Sequence, residues 1–281
     1  MSQSSSDTPR KGMSIPVSAA LQNKMLTTNL QGVRHKLFIM SGKGGVGKSS
    51  VTVNLAAALA DRGQSVGILD VDLHGPSIPR LLGASAPVMA DGHQMLPVPC
   101  GENLSLLSMD AFLQDRDTAI LWRGPKKTGA IRQFLTEVRW GTLDYLLIDS
   151  PPGTGDEHMT VLEAIPDAAC IVVTTPQELS LADVRKALDF LRITHASILG
   201  IVENMSGLAC PHCGGEIDLF KKGGGEALAK SYGLPFLGAI PLDPATVAAA
   251  DQGIPIVRLA GASPAKQAFL DLADAVFRAT T

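Results

Sequence analysis

A glycine-rich stretch at residues 42–49 has the residue types and spacing of a phosphate-binding loop. Its sequence, GKGGVGKS, fits the pattern G-x-x-x-x-G-K-[ST]. In such a loop the backbone N–H groups turn toward phosphate oxygens, Lys48 would meet the β- and γ-phosphates, and Ser49 would ligate Mg²⁺. The pattern therefore predicts a site for a nucleotide and Mg²⁺. The residues expected to contact the nucleotide are Gly42, Lys43, Gly44, Gly45, Val46, Gly47, Lys48, Ser49 and Ser50.

Three aspartates lie at the ends of apolar runs that we predict to be strands. Asp70 ends the run at 66–70, Asp72 follows it, and Asp149 ends the run at 145–149. Ligands of open α/β sheets gather at the carboxyl ends of the strands. Asp149 is placed to hold Mg²⁺ through water. Of the other two carboxylates, one would order the water shell of the metal and one would orient an attacking water molecule.

Cys210 and Cys213 form a Cys-x-x-Cys pair. Two thiolates are half of a tetrahedral ligand set, and the other cysteines are poorly placed to complete it. Cys170 lies in a predicted buried strand and Cys100 in a distant loop. The same pair from a second subunit, across a two-fold axis, would supply the missing ligands. Three interpretations stay open: a cluster shared at a dimer interface, a structural zinc ion and a thioredoxin-like dithiol.

The elements that must position these residues follow from an alternation of short apolar runs with helical stretches. Residues 36–40 read as a strand, 51–61 as a helix and 66–70 as a strand, which is a βαβ unit. Further strands are expected at 104–109, 145–149, 169–174, 198–204 and 236–240. These runs do not alternate with polar residues, so both of their faces should be buried. We predict an α/β fold of the P-loop NTPase type, a mostly parallel sheet with helices on both faces.

Smaller features complete the expected organisation. Residues 180–194 should form a helix in which Ser180 and Asp183 have capping-box spacing, and residues 89–99 a hairpin or long loop. The serine-rich start of the chain lacks an apolar period. We therefore expect an N-terminal, partly disordered tail at 1–34 and a single P-loop ATPase domain at 35–281 that carries the cysteine loop at 210–213.

Composition excludes several classes of function. The 281-residue chain has a net charge of −3, which offers no broad basic surface for nucleic acid. No apolar run approaches the roughly 18 to 20 residues of a membrane span, and the N-terminus lacks the pattern of a secretory signal. Four cysteines are too few for a secreted disulfide scaffold. We expect a cytoplasmic protein that binds neither nucleic acid nor membrane.

Several separated motifs occur in one order along the chain. They are SGKGGVGKS at 41–49, DLHGPSIP at 72–79, WRGP at 122–125, DSPPGTGD at 149–156, ENMS at 203–206, and GGG at 223–225 after the cysteine pair. In this set the chain resembles the Mrp/ApbC family of P-loop ATPases. These MinD/ParA-like proteins have a deviant Walker A loop and act as iron–sulfur cluster carriers.

The resemblance implies an ATP-bound homodimer that holds a [4Fe–4S] cluster between the paired Cys-x-x-Cys loops and transfers it to apo iron–sulfur proteins. It also implies that Lys43 reaches the phosphates of the partner subunit, that Asp72 orients the attacking water and that Asp70 supports it. The catalytic residues implied are Lys43, Lys48 and Asp72. The residues implied near the adenine are Asn204, Pro241 and Asp243.

Other classes of ATPase share parts of this pattern. A MinD/ParA-type positioning ATPase would bind membrane or DNA, yet the polar side of the predicted helix at 263–278 mixes basic and acidic residues. A redox ATPase of the nitrogenase-reductase kind would take its cluster ligands from cysteines far apart in sequence. An ATPase with a structural zinc ion bridging the dimer is a further alternative. The expected function is that of a cluster carrier.

Overall fold

The predicted alternation of strands and helices runs through the described chain. The computed structural model describes residues 19–72, 75–92, 94–109, 124–210, 213, 215–217 and 219–281. The strands are β1 (Val33–Ser41), β2 (Val66–Asp70), β3 (Met89–Asp91), β4 (Gln94–Leu96), β5 (Val98–Pro99), β6 (Leu104–Ser108), β7 (Leu143–Asp149), β8 (Ala169–Thr174), β9 (Ser197–Ala209), β10 (Glu216–Ile217) and β11 (Phe236–Leu242). The helices are α1 (Ala19–Leu30), α2 (Lys48–Ala60), α3 (Ile78–Leu81), α4 (Gly124–Glu137), α5 (Asp156–Ala164), α6 (Glu178–Ile193), α7 (Gly224–Tyr232), α8 (Pro244–Asp251) and α9 (Pro264–Thr280), with a 3₁₀ turn at Ile256–Arg258.

One large sheet organises the domain. Among the described residues, nine strands form it in the order β10-β9-β8-β1-β7-β2-β6-β5, and β11 pairs with β9. All pairings among β11, β9, β8, β1, β7, β2 and β6 are parallel, whereas β10 and β5 are antiparallel to their neighbours. This confirms the predicted fold class. Because β1 lies between β7 and β8, the loop that follows β1 emerges from the middle of the sheet.

Both faces of the sheet are covered, which is why its strands show no polar alternation. Phe38 and Met40 of β1 belong to one buried cluster, together with Phe134 of α4. Leu37 and Ile39 belong to the cluster on the other face. Successive strand residues point to opposite faces, so one apolar run serves both cores. The central strands are thereby held rigidly behind the loops at their carboxyl ends.

The predicted ends of the elements agree best with the structure for two buried strands of the large sheet. Strands β2 and β8 coincide with the predicted runs, and β3 pairs with β4 as a hairpin within 89–99. The capping prediction for α6 is wrong, because the helix begins at Glu178 with Gln177 as its N-cap. Ser180 lies inside the helix, and its hydroxyl bonds that of Thr175 at 2.6 Å. Strand β9 continues five residues beyond the predicted end at residue 204.

The N-terminal segment is more ordered than a tail where it is described. Helix α1 places Leu26 and Leu30 in the core, and β1 begins at Val33, two residues before the predicted domain boundary. The division into 1–34 and 35–281 stays a prediction, and residues 1–18 lie outside the described residues. In the described part of the chain, no helix combines the length and the apolar character of a transmembrane segment.

One histidine is buried in the core beside the phosphate-binding side of the sheet. His158 of α5 is 1% exposed, its ring packs edge-on against Phe38 and Phe190, and its Nδ1 accepts a hydrogen bond from the Gly155 N–H at 3.2 Å. Burial lowers the pKa of His158 to about 4, although the neighbouring Glu157 carboxylate favours the charged ring. The ring is therefore neutral at physiological pH.

This burial predicts a pH-dependent stability. Because the folded pKa lies below the ordinary 6.5, the unfolded state binds the proton first, and stability is lost as pH falls from about 6.5 toward 4. The full loss corresponds to about 3 kcal/mol. Urea unfolding of wild type and His158→Asn across this range should show a steeper decline for wild type. Parallel curves would contradict the assignment.

Candidate functional site

The loop between β1 and α2 surrounds a cavity of about 280 Å³. Residues 43–50 line the cavity, so all of the predicted loop residues except Gly42 face it. Gly45 and Gly47 have φ angles of 80° and 82°, in the left-handed region that favours glycine. Gly47 is also the N-cap of α2, so the positive end of the helix dipole points toward the cavity. The arrangement is that of a phosphate-binding loop.

Asp149, at the end of β7, collects hydrogen bonds from the start of α2. Lys48 Nζ lies 2.7 Å from Asp149 Oδ2, and both groups are buried. Ser49 Oγ donates to the same oxygen at 2.7 Å, and Thr52 Oγ1 donates to Oδ1 at 2.6 Å. Ser49 and Asp149 thus bring two hard oxygen ligands together beside the loop, which suits Mg²⁺.

Asp70 lies beside Asp149 but in a different electrostatic state. The register of β2 and β7 pairs the two aspartates side by side. Asp70 is fully buried and accepts hydrogen bonds from Ser108 Oγ at 2.9 Å and from the Asp72 N–H at 3.1 Å. Burial, followed by the charge of Asp149, raises the pKa of Asp70 well above its usual value. Asp149 is the member of the pair that has a cationic partner.

Asp72 is the acid that faces the cavity. Its side chain is 9% exposed and lines the cavity, and its Oδ1 accepts a hydrogen bond from the Gly75 N–H at 3.2 Å. Lys43 lines the same cavity and is partly exposed. The structure thus brings Lys43, Lys48 and Asp72 together around one space, as the sequence predicts. Leu73 and His74 of the DLHGPSIP motif lie outside the described residues.

The three residues predicted near the adenine differ in whether they contact the phosphate-binding loop. Asn204 of β9 is buried and donates from Nδ2 to the Val46 carbonyl of the phosphate-binding loop at 2.8 Å. A Cβ on Gly47 would collide with that amide nitrogen, so the close approach requires glycine. Pro241 and Asp243 do not line the cavity. The Asp243 carboxylate caps α8 through the Ala245 N–H at 2.9 Å and accepts from Ser263 Oγ at 2.5 Å.

The cysteines differ in exposure and in the pKa of their thiols, and among them Cys170 is buried and Cys100 partly exposed. Cys213 is exposed and Cys210 partly exposed, and the Cys210 N–H donates to the Gly215 carbonyl at 2.8 Å. Burial raises the thiol pKa of Cys100 to about 11 and that of Cys170 to about 12. Within the described residues, no group of three or more His, Cys, Asp or Glu side chains is placed to hold a metal ion. Pro211 and His212 lie outside those residues.

Sequence reasoning missed two hydroxyl residues of the site. Thr52 lies four residues after Lys48, one helical turn further along α2, so both reach Asp149 from the same face. That spacing was a usable signal. Ser108 reaches Asp70 from β6, the neighbouring strand in the sheet. No spacing in the chain indicates this contact, because it depends on the strand order.

Comparisons with known proteins agree on one family. The family model described as ParA: NUBPL iron-transfer P-loop NTPase matches residues 32–277. The chain is 50% identical over 242 residues to an iron-sulfur cluster carrier protein of Methanocaldococcus jannaschii, covering 85% of this chain and 83% of that protein. It is 47% identical over 266 residues to the cytosolic Fe-S cluster assembly factor NUBP2 of Homo sapiens, covering 90% and 95%.

A solved structure is similar over most of the chain as well. It is a nucleotide-binding protein from Archaeoglobus fulgidus in complex with ADP, with a TM-score of 0.73 and 39% sequence identity. The match covers 83% of this chain and 92% of that one. The residues matched by the family model, 32–277, include the phosphate-binding loop and the cysteine pair.

The different states of Asp149 and Asp70 predict different effects of the same substitution. Asp149→Asn leaves the Lys48 ammonium buried without its charge partner and should lower the free energy of unfolding by about 3 to 5 kcal/mol. Asp70→Asn replaces an acid whose charged form is disfavoured by burial with a neutral group of similar shape, and it should change the free energy of unfolding by less than about 1 kcal/mol. Urea unfolding at pH 7.5 measures both. Equal losses in the two variants would contradict the assignment.

Proposed function

The chain belongs to the ParA family of NUBPL-type iron-transfer P-loop NTPases, and we propose that within this family it is an ATP-dependent carrier of iron–sulfur clusters. As a P-loop NTPase it is an ATP hydrolase. In the proposal, two subunits hold one [4Fe–4S] cluster between their Cys210 and Cys213 side chains and transfer it to apo iron–sulfur proteins. The names of the relatives support this function, because they are a cluster carrier and a cluster assembly factor.

The observation that carries the proposal is that Cys213 is exposed and Cys210 partly exposed on one loop, whereas burial raises the thiol pKa of the other two cysteines. A cluster bound by cysteines needs four thiolates, and Cys210 and Cys213 supply half of that set at the surface. Cys100 and Cys170 are held in the fold with raised thiol pKa values, so they are poor ligands. A second copy of the chain is the simplest source of the other half. Exposed Ile217 and Leu219 beside the pair give that contact an apolar component.

In the proposed function, the nucleotide site binds and hydrolyses ATP. Ser49 would ligate Mg²⁺ and Asp149 would hold it through water. When bound, the ion would offset negative charge on the β- and γ-phosphates. Lys48 would then turn from Asp149 toward the phosphates. Asp72, which already faces the cavity, would orient the attacking water, and Asp70 would hold the Asp72 backbone in place through its carboxyl oxygen.

Lys43 is proposed to act on the other subunit's nucleotide. Lys48 already provides a cation within its own site, whereas Lys43 is partly exposed at the cavity rim. A cation entering from the partner would offset charge that develops during phosphoryl transfer. Asn204, Pro241 and Asp243 are proposed to lie near the adenine. Asp243 would do so through its backbone or through the turn it caps, because both of its oxygens are engaged.

The location and domain division belong to the same proposal. We place the protein in the cytosol, in line with the name of its human relative. The ATPase domain is proposed at 35–281, which the family match to residues 32–277 supports. Helix α1 adds a packed element ahead of that domain. The partners proposed are a second copy of the chain and apo iron–sulfur proteins, without nucleic acid or membrane.

The role of Lys43 predicts complementation between two inactive variants. Lys43→Ala mixed with Asp72→Asn should regain ATP turnover, because each heterodimer has one site with an intact Asp72 and an intact partner Lys43. Random pairing of equal amounts gives half heterodimers with one working site each, hence about a quarter of wild-type turnover. Each variant alone should be lower by about 10²-fold. If heterodimers form and turnover stays absent, Lys43 does not act in trans.

The cluster proposal predicts a clean separation of two activities. Cys210→Ala with Cys213→Ala should abolish cluster binding and transfer, since the dimer loses all four proposed thiolates. ATP affinity should stay within about threefold of wild type, because the phosphates are held by residues 43–50. The matched control is Cys100→Ala, which removes a partly buried thiol and should retain about one cluster per dimer.

Iron and acid-labile sulfide analysis after anaerobic reconstitution, followed by activation of an apo-protein, measures both variants. A double variant with a full complement of iron and sulfide would overturn the carrier proposal. Stoichiometric zinc without sulfide in the wild type would favour the structural-metal alternative.

A further inference from the structure

Glu203 is a buried acid on β9 that the proposed reaction does not use. Its side chain is 0% exposed, and its carboxylate accepts three hydrogen bonds from described donors. The Ser206 hydroxyl and the Gly223 N–H donate to Oε1 at 2.5 and 2.8 Å, and the Gly225 N–H donates to Oε2. Burying a carboxylate is costly unless such donors replace its water. This cost indicates that the hydrogen bonds fix the segments that carry the donors relative to Glu203.

The donors lie on opposite sides of the loop that carries the cysteines. Strand β9 runs from Glu203 to Ala209 and leads directly into Cys210, whereas Gly223 and Gly225 belong to the N-terminus of α7, where the chain returns. The carboxylate thus closes the base of the loop at 210–222. The Gly207 N–H adds a second tie by donating to the Lys221 carbonyl at 3.3 Å.

The next residue of β9 connects the same strand to the nucleotide site. Asn204 donates to the Val46 carbonyl of the phosphate-binding loop at 2.8 Å. Successive residues of a strand point to opposite faces, so the two contacts leave β9 in opposite directions. A displacement of Val46 would therefore move the segment that anchors the cysteine loop.

The backbone of β9 is strained between Glu203 and Gly207, the two residues that close the base of the cysteine loop. Met205 has a φ of 57°, a left-handed conformation that is unfavourable for a non-glycine residue. Its neighbours Asn204 and Ser206 are each held by a side-chain hydrogen bond. Strain of this kind persists where the surroundings fix the conformation. Met205 is the point at which β9 turns from the phosphate-binding loop toward the cysteines.

We propose that Glu203 is a positioning residue that sets the cysteine loop and, through Asn204, links the placement of Cys210 and Cys213 to the nucleotide bound at the phosphate-binding loop. The inference rests on the proposed function in one respect, that these thiols are the cluster ligands. The link itself is a property of the protein without a cluster. It would let the state of the nucleotide decide how firmly the thiols are presented.

The substitution that tests the tie is Glu203→Gln. The amide keeps the size of the side chain but offers one acceptor oxygen, so its NH₂ group faces one of the two backbone N–H donors. Losing one hydrogen bond to a charged group is expected to open the loop about tenfold more often. The matched control, Ser206→Ala, removes a contact within β9 and leaves intact both N–H bonds that join β9 to α7 across the loop, so it should change opening by less than about threefold.

The readout is alkylation of the thiols by iodoacetamide in the full, reduced, cluster-free chain, followed by mass spectrometry at each cysteine. The rates are measured with and without a non-hydrolysable ATP analogue and Mg²⁺. In the wild type the nucleotide should slow labelling of Cys210 and Cys213 by at least about threefold. In Glu203→Gln, labelling without nucleotide should rise about tenfold and the effect of nucleotide should disappear. Affinity for the analogue should stay within about threefold of wild type.

Cys170 serves as the internal reference, since its buried thiol labels only when the fold opens. Faster labelling of this thiol in Glu203→Gln would mean that Glu203 stabilises the whole domain, and this would overturn the positioning role. Wild-type labelling of Cys210 and Cys213 in that variant would overturn it as well. If the nucleotide analogue leaves the labelling rates of Cys210 and Cys213 in the wild type unchanged, the proposed link is overturned.

A second variant, Asn204→Ala, tests the link at the contact between β9 and the phosphate-binding loop. Its result does not depend on whether Glu203→Gln folds correctly. Asn204→Ala is measured at an analogue concentration that direct binding shows to saturate the variant. Cys210 and Cys213 should then label at the rate of the nucleotide-free wild type, because the contact with Val46 is lost. A full effect in this variant would overturn the link. Because thiol labelling needs no cluster, a protein that binds none would refute the proposed function alone. If the protein transfers clusters but Glu203→Gln labels like the wild type, only the inference about Glu203 is refuted.

Discussion

The charge arrangement around Asp149 is the constraint on which the rest of the site depends. A buried carboxylate is tolerated only with close donors, and here Lys48, Ser49 and Thr52 provide them from one helix. These contacts fix the start of α2 against the end of β7 and so fix the glycine loop between β1 and α2. Burial, and after it the charge of Asp149, raises the pKa of Asp70 in the neighbouring strand. Of the three aspartates, Asp72 is the one that lines the cavity.

The proposed cluster site depends on a different kind of support. Cys210 and Cys213 lie on a surface loop, and surface loops are mobile unless their ends are tied. The ties come from Glu203 and from the positive end of α7, which together satisfy a buried charge without a cation among the described partners. Because β9 also contacts the phosphate-binding loop through Asn204, the two functional loops share one strand as their base.

The accuracy of the sequence predictions follows the physics of each element. Strands β2 and β8 were predicted to the residue because both are apolar runs buried on two faces, and local composition fixes their ends. The start of α6 was mistaken because Ser180 fits a cap by spacing, whereas its hydroxyl bonds Thr175 inside the fold. The end of β9 was missed because Leu208 and Ala209 are held by pairing with β11 and β10, which the local sequence does not indicate. Helix α1 was missed because it is amphipathic only weakly and gains stability by packing on the core.

The sequence by itself determined the phosphate-binding loop, the acids that end the strands and the cysteine pair, since each is a local pattern whose chemistry depends on neighbouring residues. Only the tertiary structure decided which acid pairs with a cation, because the raised pKa of Asp70 and the pairing of Asp149 with Lys48 depend on burial and strand order. It also decided that Asp243 is engaged in two helix caps and that Glu203 closes the cysteine loop. These contacts join residues distant in the chain, and their energies arise only when folding removes water from the groups and brings them within hydrogen-bond distance.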